Sequence, residues 1–231
     1  MTDTNRSLPA RLFRFLFKFS LFFILLSVGL TVIYSFTPVP VTATMLLDDN
    51  GDTREWVSID DVSPNLVRAI MAAEDSKFCV HNGFDREAIE TAIKRNAEGG
   101  RIRGGSTISQ QTAKNVFLWQ GGGYFRKGLE AYFTFLIENI WSKRRIMEAY
   151  LNVAETGIGT YGVEAGAQRY FKKSAKNLSR TQAARLAAAL PLPKKRSVNN
   201  PKGFTRRHGN SIAARINVVK RDRLDVCILG Y

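Results

Sequence analysis

Residues 63–74 read SPNLVRAIMAAE, and this stretch decides the fold class of the domain that contains it. Ser63 followed by Pro64 is typical of a helix start, because Ser is a frequent N-cap and Pro fits the first helical position. Apolar residues then recur at helical spacing up to Glu74 and share one face. The stretch therefore predicts an amphipathic helix whose apolar face ends in a carboxylate.

Helical patterns continue on both sides of this segment. T-x-x-Q at 107–110 and S-x-x-Q at 179–182 resemble capping boxes, which satisfy backbone N–H groups at a helix start. No series of alternating strands and no internal repeat interrupts the pattern. The sequence predicts a mainly α domain with one possible hairpin at Asn-Gly 50–51. Its further helices are expected at 86–97, 107–117, 124–141, 143–152, from 179 to a point before Pro191, and at 211–224.

Residues 19–36, FSLFFILLSVGLTVIYSF, contain no charged residue. As a helix they span about 27 Å, close to the hydrocarbon core of a bilayer. A signal peptide is the alternative, but the run is long for one, and only VTATM weakly resembles a cleavage site. We interpret it as a single anchor, with the basic N-terminus cytoplasmic and the rest exported. The predicted regions are a cytoplasmic tail 1–18, a transmembrane helix 19–36, a linker 37–60 and a domain 61–231.

The chain carries a net charge of +14, from 34 Lys and Arg against 20 Asp and Glu. Such an excess favours anionic partners: nucleic acid, anionic lipid or a phosphorylated substrate. The net charge is +3 over residues 1–36, −3 over 37–142 and +14 over 143–231. Because the basic tail belongs to the exported part, we expect no nucleic acid partner and keep membrane lipid and a phosphorylated substrate.

Several familiar sites are absent from the sequence. GIGTYG at 157–162 follows a helical pattern rather than a strand, so we interpret it as a Gly turn between helices, not a dinucleotide site. His81 and His208 stand far apart without H-E-x-x-H, which excludes a catalytic zinc site of that type. Cys79 and Cys227 could pair outside the cytoplasm, and buried free thiols are an equal alternative.

Glu74 and the segment GGSTISQQTAKN at 104–115 carry polar groups suited to chemistry. A carboxylate at the end of an apolar face is partly desolvated, which raises its pKa and suits it to acid–base catalysis. The alternative is a solvent-facing carboxylate at a helix end. A Gly-rich turn that enters a capped helix favours anion binding. An ordinary capped polar helix is the alternative there.

A further group of charges lies in RKGLE at 126–130. Arg126 and Lys127 share a helical face with Glu130, which predicts either a weak surface salt bridge or a carboxylate held beside two phosphate-binding cations. KRR at 143–145 opens a helix, where cations oppose the dipole. That placement suggests ligand binding rather than stability, with a solvated face as the alternative.

Four segments, in this order, resemble the motifs of the peptidoglycan glycosyltransferases, glycosyltransferase family 51, over roughly residues 60–193. EDSKFCVHNGFD at 74–85 resembles the first motif, GGSTISQQTAKN the second, RKGLE the third and KRRIMEAYLN at 143–152 the fourth. S-x-x-K and K-T-G, which mark transpeptidases, are missing. Together with the short chain, this resembles the monofunctional members of the family.

The resemblance implies a lysozyme-like α fold, anchored in the bacterial inner membrane, that polymerises lipid II into glycan strands. Glu74 would act as the general base, removing the proton of the acceptor 4-hydroxyl as that oxygen attacks C1 of the growing chain. Undecaprenyl pyrophosphate leaves with inversion, and Glu130 would be the second carboxylate. Pyrophosphate and sugar binding would fall to Ser106, Gln110, Lys114, Arg126 and Lys127. Supporting positions would be Asp75, Phe78, His81, Gln111, Asn115, Lys143, Glu148, Tyr150 and Asn152.

The resemblance also bears on cofactors and partners. No D-x-D triplet occurs, so no metal ligand is assigned and fixed cations would stabilise the leaving group, although an auxiliary Mg²⁺ or Mn²⁺ ion remains compatible. Lipid II, the nascent strand, membrane lipids and cell-wall synthesis or division proteins are the expected partners. Two departures stand out: Gly121–Gly123, where many relatives carry a basic residue, and Leu192 in an LPLP ending. A lytic glycosidase and a non-enzymatic membrane scaffold are the rival functions.

Overall fold

The computed structural model describes residues 8–98 and 105–230 of the chain. The N-terminal residues up to 7, the GGRIRG stretch at 99–104 with the first Gly of the second motif, and Tyr231 lie outside them. The described chain forms two compact units, which meet in sequence between Thr37 and Pro38.

The first unit is helix α1, Leu8–Phe36. It begins eleven residues before the predicted start, because the preceding residues are also mostly apolar and Pro9 fits a first turn. The predicted tail 1–18 is therefore helical from Leu8 onward. Within Pro9–Phe36 an 18-residue window has a mean hydropathy of 2.3, so the helix is long and apolar enough to cross a membrane.

The second unit is mainly helical, as predicted. Its described helices are α2 (Ala43–Leu46), α3 (Pro64–Glu74), α4 (Arg86–Ala97), α5 (Ile108–Phe117), α6 (Gly123–Ile140), α7 (Lys143–Val153), α8 (Val163–Phe171), α9 (Arg180–Ala189), α10 (Gly203–Arg221) and α11 (Val226–Leu229). Its strands are β1 (Thr53–Arg54), β2 (Glu155–Gly157) and β3 (Thr160–Tyr161).

Most helix predictions are confirmed to within a residue or two. Both capping boxes form, at Thr107 and at Ser179, with the hydroxyl and the amide bonded reciprocally to the backbone. Ser63 precedes α3 as expected, but its hydroxyl donates to the carbonyl of Leu178 instead of accepting a cap hydrogen bond. Helix α10 starts eight residues earlier than predicted, and α8 was not predicted.

The predicted hairpin at 50–51 is wrong. Thr42 caps the short helix α2 at residues 43–46, where a hairpin would need a strand, and the turn at 48–51 leads from that helix towards β1. Strand β1 pairs in parallel with β3, more than a hundred residues away, while β2 and β3 pair antiparallel. The GIGTYG segment therefore forms part of a hairpin, not a turn between helices.

Helix α3 lies at the centre of the second unit. It packs against α9 and α10, while α5 packs against α6 and α7. Every residue from Leu66 to Ala72 is buried. Within that run Arg68 forms a buried ion pair of 2.6 Å with Asp225, which precedes α11. The apolar face predicted from sequence is thus buried, with α9 and α10 packed against the helix, and the helix ends at Glu74.

A disulfide joins Cys79, five residues after Glu74, to Cys227 in α11. The two Cα atoms lie 5.6 Å apart across a sequence separation of 148 residues. The sequence left open whether the two cysteines pair or remain free thiols, and the structure shows that they pair. The C-terminal helix is thereby tied covalently to the loop that follows Glu74, and the Arg68–Asp225 pair ties the same region to α3.

We expect Cys227→Ser to lower the unfolding free energy by about 2–5 kcal/mol, because a long loop in the unfolded chain is no longer closed. Thermal denaturation of the full-length protein with and without a phosphine reductant measures this. Reductant should lower the wild-type midpoint and leave those of Cys227→Ser and Cys79→Ser unchanged. A wild-type midpoint that does not respond to reductant would contradict a structural disulfide.

Candidate active site

Glu74 ends α3 with one carboxylate oxygen engaged and the other free of any internal partner. Its Oε2 accepts a 3.0 Å hydrogen bond from Nε2 of Gln111, whose Oε1 lies 3.5 Å from the hydroxyl of buried Tyr150. Its Oε1 is buried and has no hydrogen-bond partner. Burial raises the pKa of Glu74, opposed by the Gln111 hydrogen bond and the charge of Arg196. A raised pKa and a buried oxygen without a partner are expected of a general base that accepts a proton from its ligand.

A small cavity of about 160 Å³ opens beside Glu74. The sequence predicted two of its described lining residues besides Glu74, namely Asp75 and Ser106. Asp85 also lines it, and one of its oxygens caps the start of α4 by accepting from the backbone of Ala88. Sequence reasoning missed Asp85, although it ends the first motif.

Arg196 is a second residue that sequence reasoning missed. It lies in the segment after α9, and its charge lowers the pKa of Glu74. The backbone carbonyl of Leu192 accepts from the N–H groups of Lys195 and Arg196, both at 3.0 Å. The turn that carries Arg196 thus depends on the backbone of Leu192, the residue that departs from the family motif. The side chain of Leu192 is half-exposed.

Asp75 connects three parts of the site from a buried position. Its Oδ2 accepts a 3.0 Å hydrogen bond from the backbone N–H of Ile108 at the start of α5. Both of its oxygens lie 3.0 Å from Nε2 of His81. The hydroxyl of Thr107 donates to the carbonyl of Gly83 and closes the same junction. A carboxylate at a helix N-terminus is favourable, so Asp75 fixes α5 relative to α3.

Glu130 is buried on α6 and held by two cations. Its Oε2 accepts a 2.7 Å hydrogen bond from Nη1 of Arg126, and its Oε1 accepts from Nζ of Lys127. Nζ of Lys127 also lies 3.4 Å from the hydroxyl of Ser106, which lines the cavity beside Glu74. The cationic cluster and the Glu74 cavity therefore share Ser106. Because Glu130 is buried, its ion pairs are not the weak surface salt bridge that the sequence left as an alternative.

Lys114 belongs electrostatically to this cluster. Burial lowers the pKa of its ammonium group, Glu130 opposes that effect, and Arg126 and Lys127 add to it. Among residues 8–98 and 105–230, no carboxylate pairs with Lys114 within 4 Å. Three cations around one buried carboxylate leave a net positive charge, which suits a polyanionic ligand.

Three consecutive glycines, Gly121–Gly123, lead into α6, whose first residue is Gly123. Gly121, Gly122 and Gly123 all adopt positive φ, at 84°, 82° and 56°. The carbonyl of Gly121 accepts from Nε of Arg126, and a Cβ on Gly122 would lie 2.8 Å from the Cβ of Arg126. The glycines therefore shape the turn that positions Arg126, and they supply no extra cation.

The structure gives the remaining predicted residues positions within the fold, and their supporting role stays a prediction. Gln110 is buried and its Oε1 accepts from the backbone of Thr107 in the capping box, so its predicted contact with substrate stays a prediction. Asn115 lies half-buried on α5. Asn152 is fully buried and bonds both backbone groups of Val57.

The cations at 143–145 have partners within the protein. Lys143 donates to the carbonyl of His81 and to Glu138, and its Nζ lies 4.6 Å from the ring centre of buried Phe78. The other two cations pair with Asp60 and with Glu148, whose Oε2 accepts from Ile59 N–H. These contacts explain the basic start of α7 without a ligand, contrary to the interpretation from sequence.

No group of three or more His, Cys, Asp or Glu side chains is arranged to hold a metal ion within the part of the chain that the structure describes. We therefore derive no step through a metal, and the auxiliary divalent ion stays a prediction.

A helical domain with a buried unpaired carboxylate beside a cationic cluster, in a chain with one apolar N-terminal helix, defines a candidate glycosyl-transferring enzyme that acts near a membrane. The comparisons agree with this class. Residues 41–217 match the Transglycosylase family, and the chain belongs to it. The domain of this family is a lysozyme-like helical fold.

Curated relatives cover nearly the whole chain. The chain is 51% identical to the biosynthetic peptidoglycan transglycosylase of Caulobacter vibrioides, over 85% of this chain and 87% of the relative. Proteins with the same name from Rhodospirillum centenum and Bdellovibrio bacteriovorus are 48% and 46% identical. The match covers 89% and 94% of this chain, and 90% and 91% of those relatives.

We expect Asp75→Asn to lower the unfolding free energy by about 1–3 kcal/mol, because a buried charge-assisted hydrogen bond to the start of α5 is weakened. Urea denaturation followed by circular dichroism measures it. Asp60→Asn is the matched control, since the Asp60 side chain is 78% exposed and its pair with Arg144 is worth less than about 1 kcal/mol. Equal losses in the two variants would show that Asp75 does not hold the junction.

Proposed function

We propose that this protein polymerises lipid II into glycan strands, with Glu74 as the general base. The observation that carries the proposal is the buried, unpartnered Oε1 of Glu74, whose cavity shares Ser106 with the cationic cluster. In the proposed step, Oε1 accepts the proton of the acceptor 4-hydroxyl while that oxygen bonds to C1 of the growing chain. The bond from C1 to the pyrophosphate oxygen breaks, and the configuration at C1 inverts.

The leaving group carries the negative charge that the cationic cluster would stabilise. Arg126 and Lys127 are held in place by Glu130, whereas Lys114 has no ion-pair partner in the described chain. A cation fixed before the reaction stabilises developing charge without reorganisation. We therefore assign the first pyrophosphate contact to Lys114, and to Glu130 the task of orienting the other two cations. In this proposal the acid–base step uses the chain's own groups, with no required cofactor.

A lipid-linked substrate also fits the exposed apolar groups of the described domain. Tyr124 and Phe125, which directly precede Arg126, are 97% and 74% exposed. Exposed aromatic side chains are typical of surfaces that meet a membrane interface. Together with α1, they support an enzyme anchored in the inner membrane with the domain from Pro38 outside the cytoplasm. In that proposal, cell-wall synthesis or division proteins would be its neighbours.

The lytic alternative is tested directly by offering the purified protein either lipid II or polymeric peptidoglycan. We expect long glycan strands from lipid II and no change in the polymer. Shorter glycans from the polymer, with no product from lipid II, would assign a glycosidase. Product from neither substrate would favour a scaffold.

We expect Lys114→Ala to raise the KM for lipid II at least about tenfold, since a charge-assisted hydrogen bond is worth about 1.5–3 kcal/mol. Lys114→Arg should retain part of the affinity. The control is Lys77→Ala, which removes an exposed cation paired with Glu87. Initial rates over a range of lipid II concentrations give the result, and unchanged kinetics for Lys114→Ala would remove it from the pyrophosphate site.

We expect Glu74→Gln to lose polymerisation and yet to unfold at a higher denaturant concentration than wild type at pH 7. Burial raises the pKa of Glu74, so its favourable contribution to folding is present below the ordinary value of 4.5 and is lost as pH rises through the raised value. The uncharged Gln avoids that loss. The stability difference should therefore shrink at pH 4, and polymerisation by wild type should increase with pH through the raised pKa.

A folded Glu74→Gln protein that retains activity contradicts the assignment of Glu74 as the base, and one that is less stable than wild type at pH 7 contradicts the predicted gain in stability. Circular dichroism and the polymerisation assay on the same preparation distinguish these results.

A further inference from the structure

A second cavity, of about 450 Å³, lies between β1 and α8 and shares no described lining residue with the cavity beside Glu74. Its volume is within the range of small-ligand sites. Three cations line it, Arg54, Arg169 and Lys172, together with one carboxylate, Glu55. The proposed polymerisation step uses none of these residues.

Arg54 is the most informative of the lining residues. Its Nη1 is buried and has no hydrogen-bond partner, while its Nη2 donates to the carbonyl of Pro40. The guanidinium lies 5.9 Å from the centre of the Trp56 ring. Burial lowers the pKa of Arg54, as expected of a partly desolvated cation, and the charge of Asp52 opposes that effect. A buried donor without an acceptor is costly, and an anionic ligand would relieve that cost.

The other two cations form no ion pair with a carboxylate among the described residues. Nη1 of Arg169 donates to the carbonyl of Ile158 at 2.7 Å and to the hydroxyl of Thr160, both of which leave its charge uncompensated. Lys172 ends α8 with a left-handed backbone, at φ 54°, and forms no ion pair with a described residue. By contrast, Lys176 and Lys194 nearby in sequence each pair with an Asp.

The charges of the lining define the chemistry of a fitting ligand. Three cations against one carboxylate favour an anion, and Arg binds carboxylates in a bidentate manner. Glu55 is exposed at the same cavity and can accept from an ammonium group. A ligand with carboxylates and one amine therefore fits better than a simple phosphate. The peptide stems of a nascent glycan strand, which contain a diamino acid, have both groups.

We propose that this cavity binds the peptide stem of the product strand, with a stem carboxylate on Arg54, Arg169 and Lys172 and the stem amine on Glu55. The proposal rests on the proposed function, since that reaction makes the strand. The site would hold the strand outside the catalytic cleft as it is extended. An anionic lipid headgroup is the rival occupant, but phosphatidylglycerol offers no amine to Glu55.

The test measures binding of labelled, uncrosslinked glycan strands to the full-length protein in detergent micelles. The comparison strands are identical except that an amidase has removed their stems. We expect wild type to bind stem-bearing strands about tenfold more tightly, a difference of about 1.4 kcal/mol. Arg169→Ala combined with Lys172→Ala should abolish that preference, while Lys173→Ala, an exposed neighbour outside the cavity lining, should retain it.

Glu55→Gln adds a second arm to the experiment. It should weaken binding of strands with free stem amines and have no effect once those amines are acetylated. Equal affinity of wild type for strands with and without stems would overturn the proposal. So would a double variant that loses short-chain phosphatidylglycerol binding but retains the stem preference, because the cavity would then be a lipid site.

The rate of lipid II polymerisation separates this proposal from the proposed function. The double variant should retain the wild-type initial rate, because neither residue touches the catalytic groups. Wild-type protein that fails to polymerise lipid II contradicts the proposed function, whereas strand binding alone decides the stem site.

Discussion

The buried carboxylate of Asp75 is the constraint on which the site depends. It accepts from the first turn of α5 and from His81, so the end of α3 and the start of α5 stay in one arrangement. Gln111 can reach Glu74 only because α5 begins there. The disulfide between Cys79 and Cys227 ties the intervening loop to α11. The position of Glu74 is therefore set by the contacts that join the end of α3 to the start of α5. The side chain of Glu74 itself contributes little to these contacts.

Two glutamates of the same chemistry receive opposite environments. Glu74 has one hydrogen bond and one unpartnered buried oxygen, and burial raises its pKa. Glu130 is more deeply buried and accepts from two cations. The first environment favours taking up a proton, whereas in the second the carboxylate orders Arg126 and Lys127. The different roles proposed for the two carboxylates therefore follow from the groups that surround each of them.

The sequence predicted most helices because their signals are local. Capping boxes at Thr107 and Ser179 and the apolar spacing of α3 depend on residues within a few positions of one another. Helix α8 was missed because it has only nine residues and follows a Gly-rich segment that dominated the interpretation. The hairpin prediction at 50–51 failed because β1 finds its partner in β3, and pairing between distant segments leaves no local signal.

By itself, the sequence determined the class of the domain, the apolar anchor segment and the candidate carboxylates and cations, since periodicity, hydropathy and motif order are properties of the chain. Only the tertiary structure decided which charges pair internally. It assigned the basic start of α7 to Glu138, Asp60 and Glu148, and it left Lys114 and Arg54 without ion-pair partners among the described residues. It also joined the cysteines and brought Asp85 and Arg196 to the site. Burial and electrostatic pairing depend on distances between remote segments, which only folding fixes.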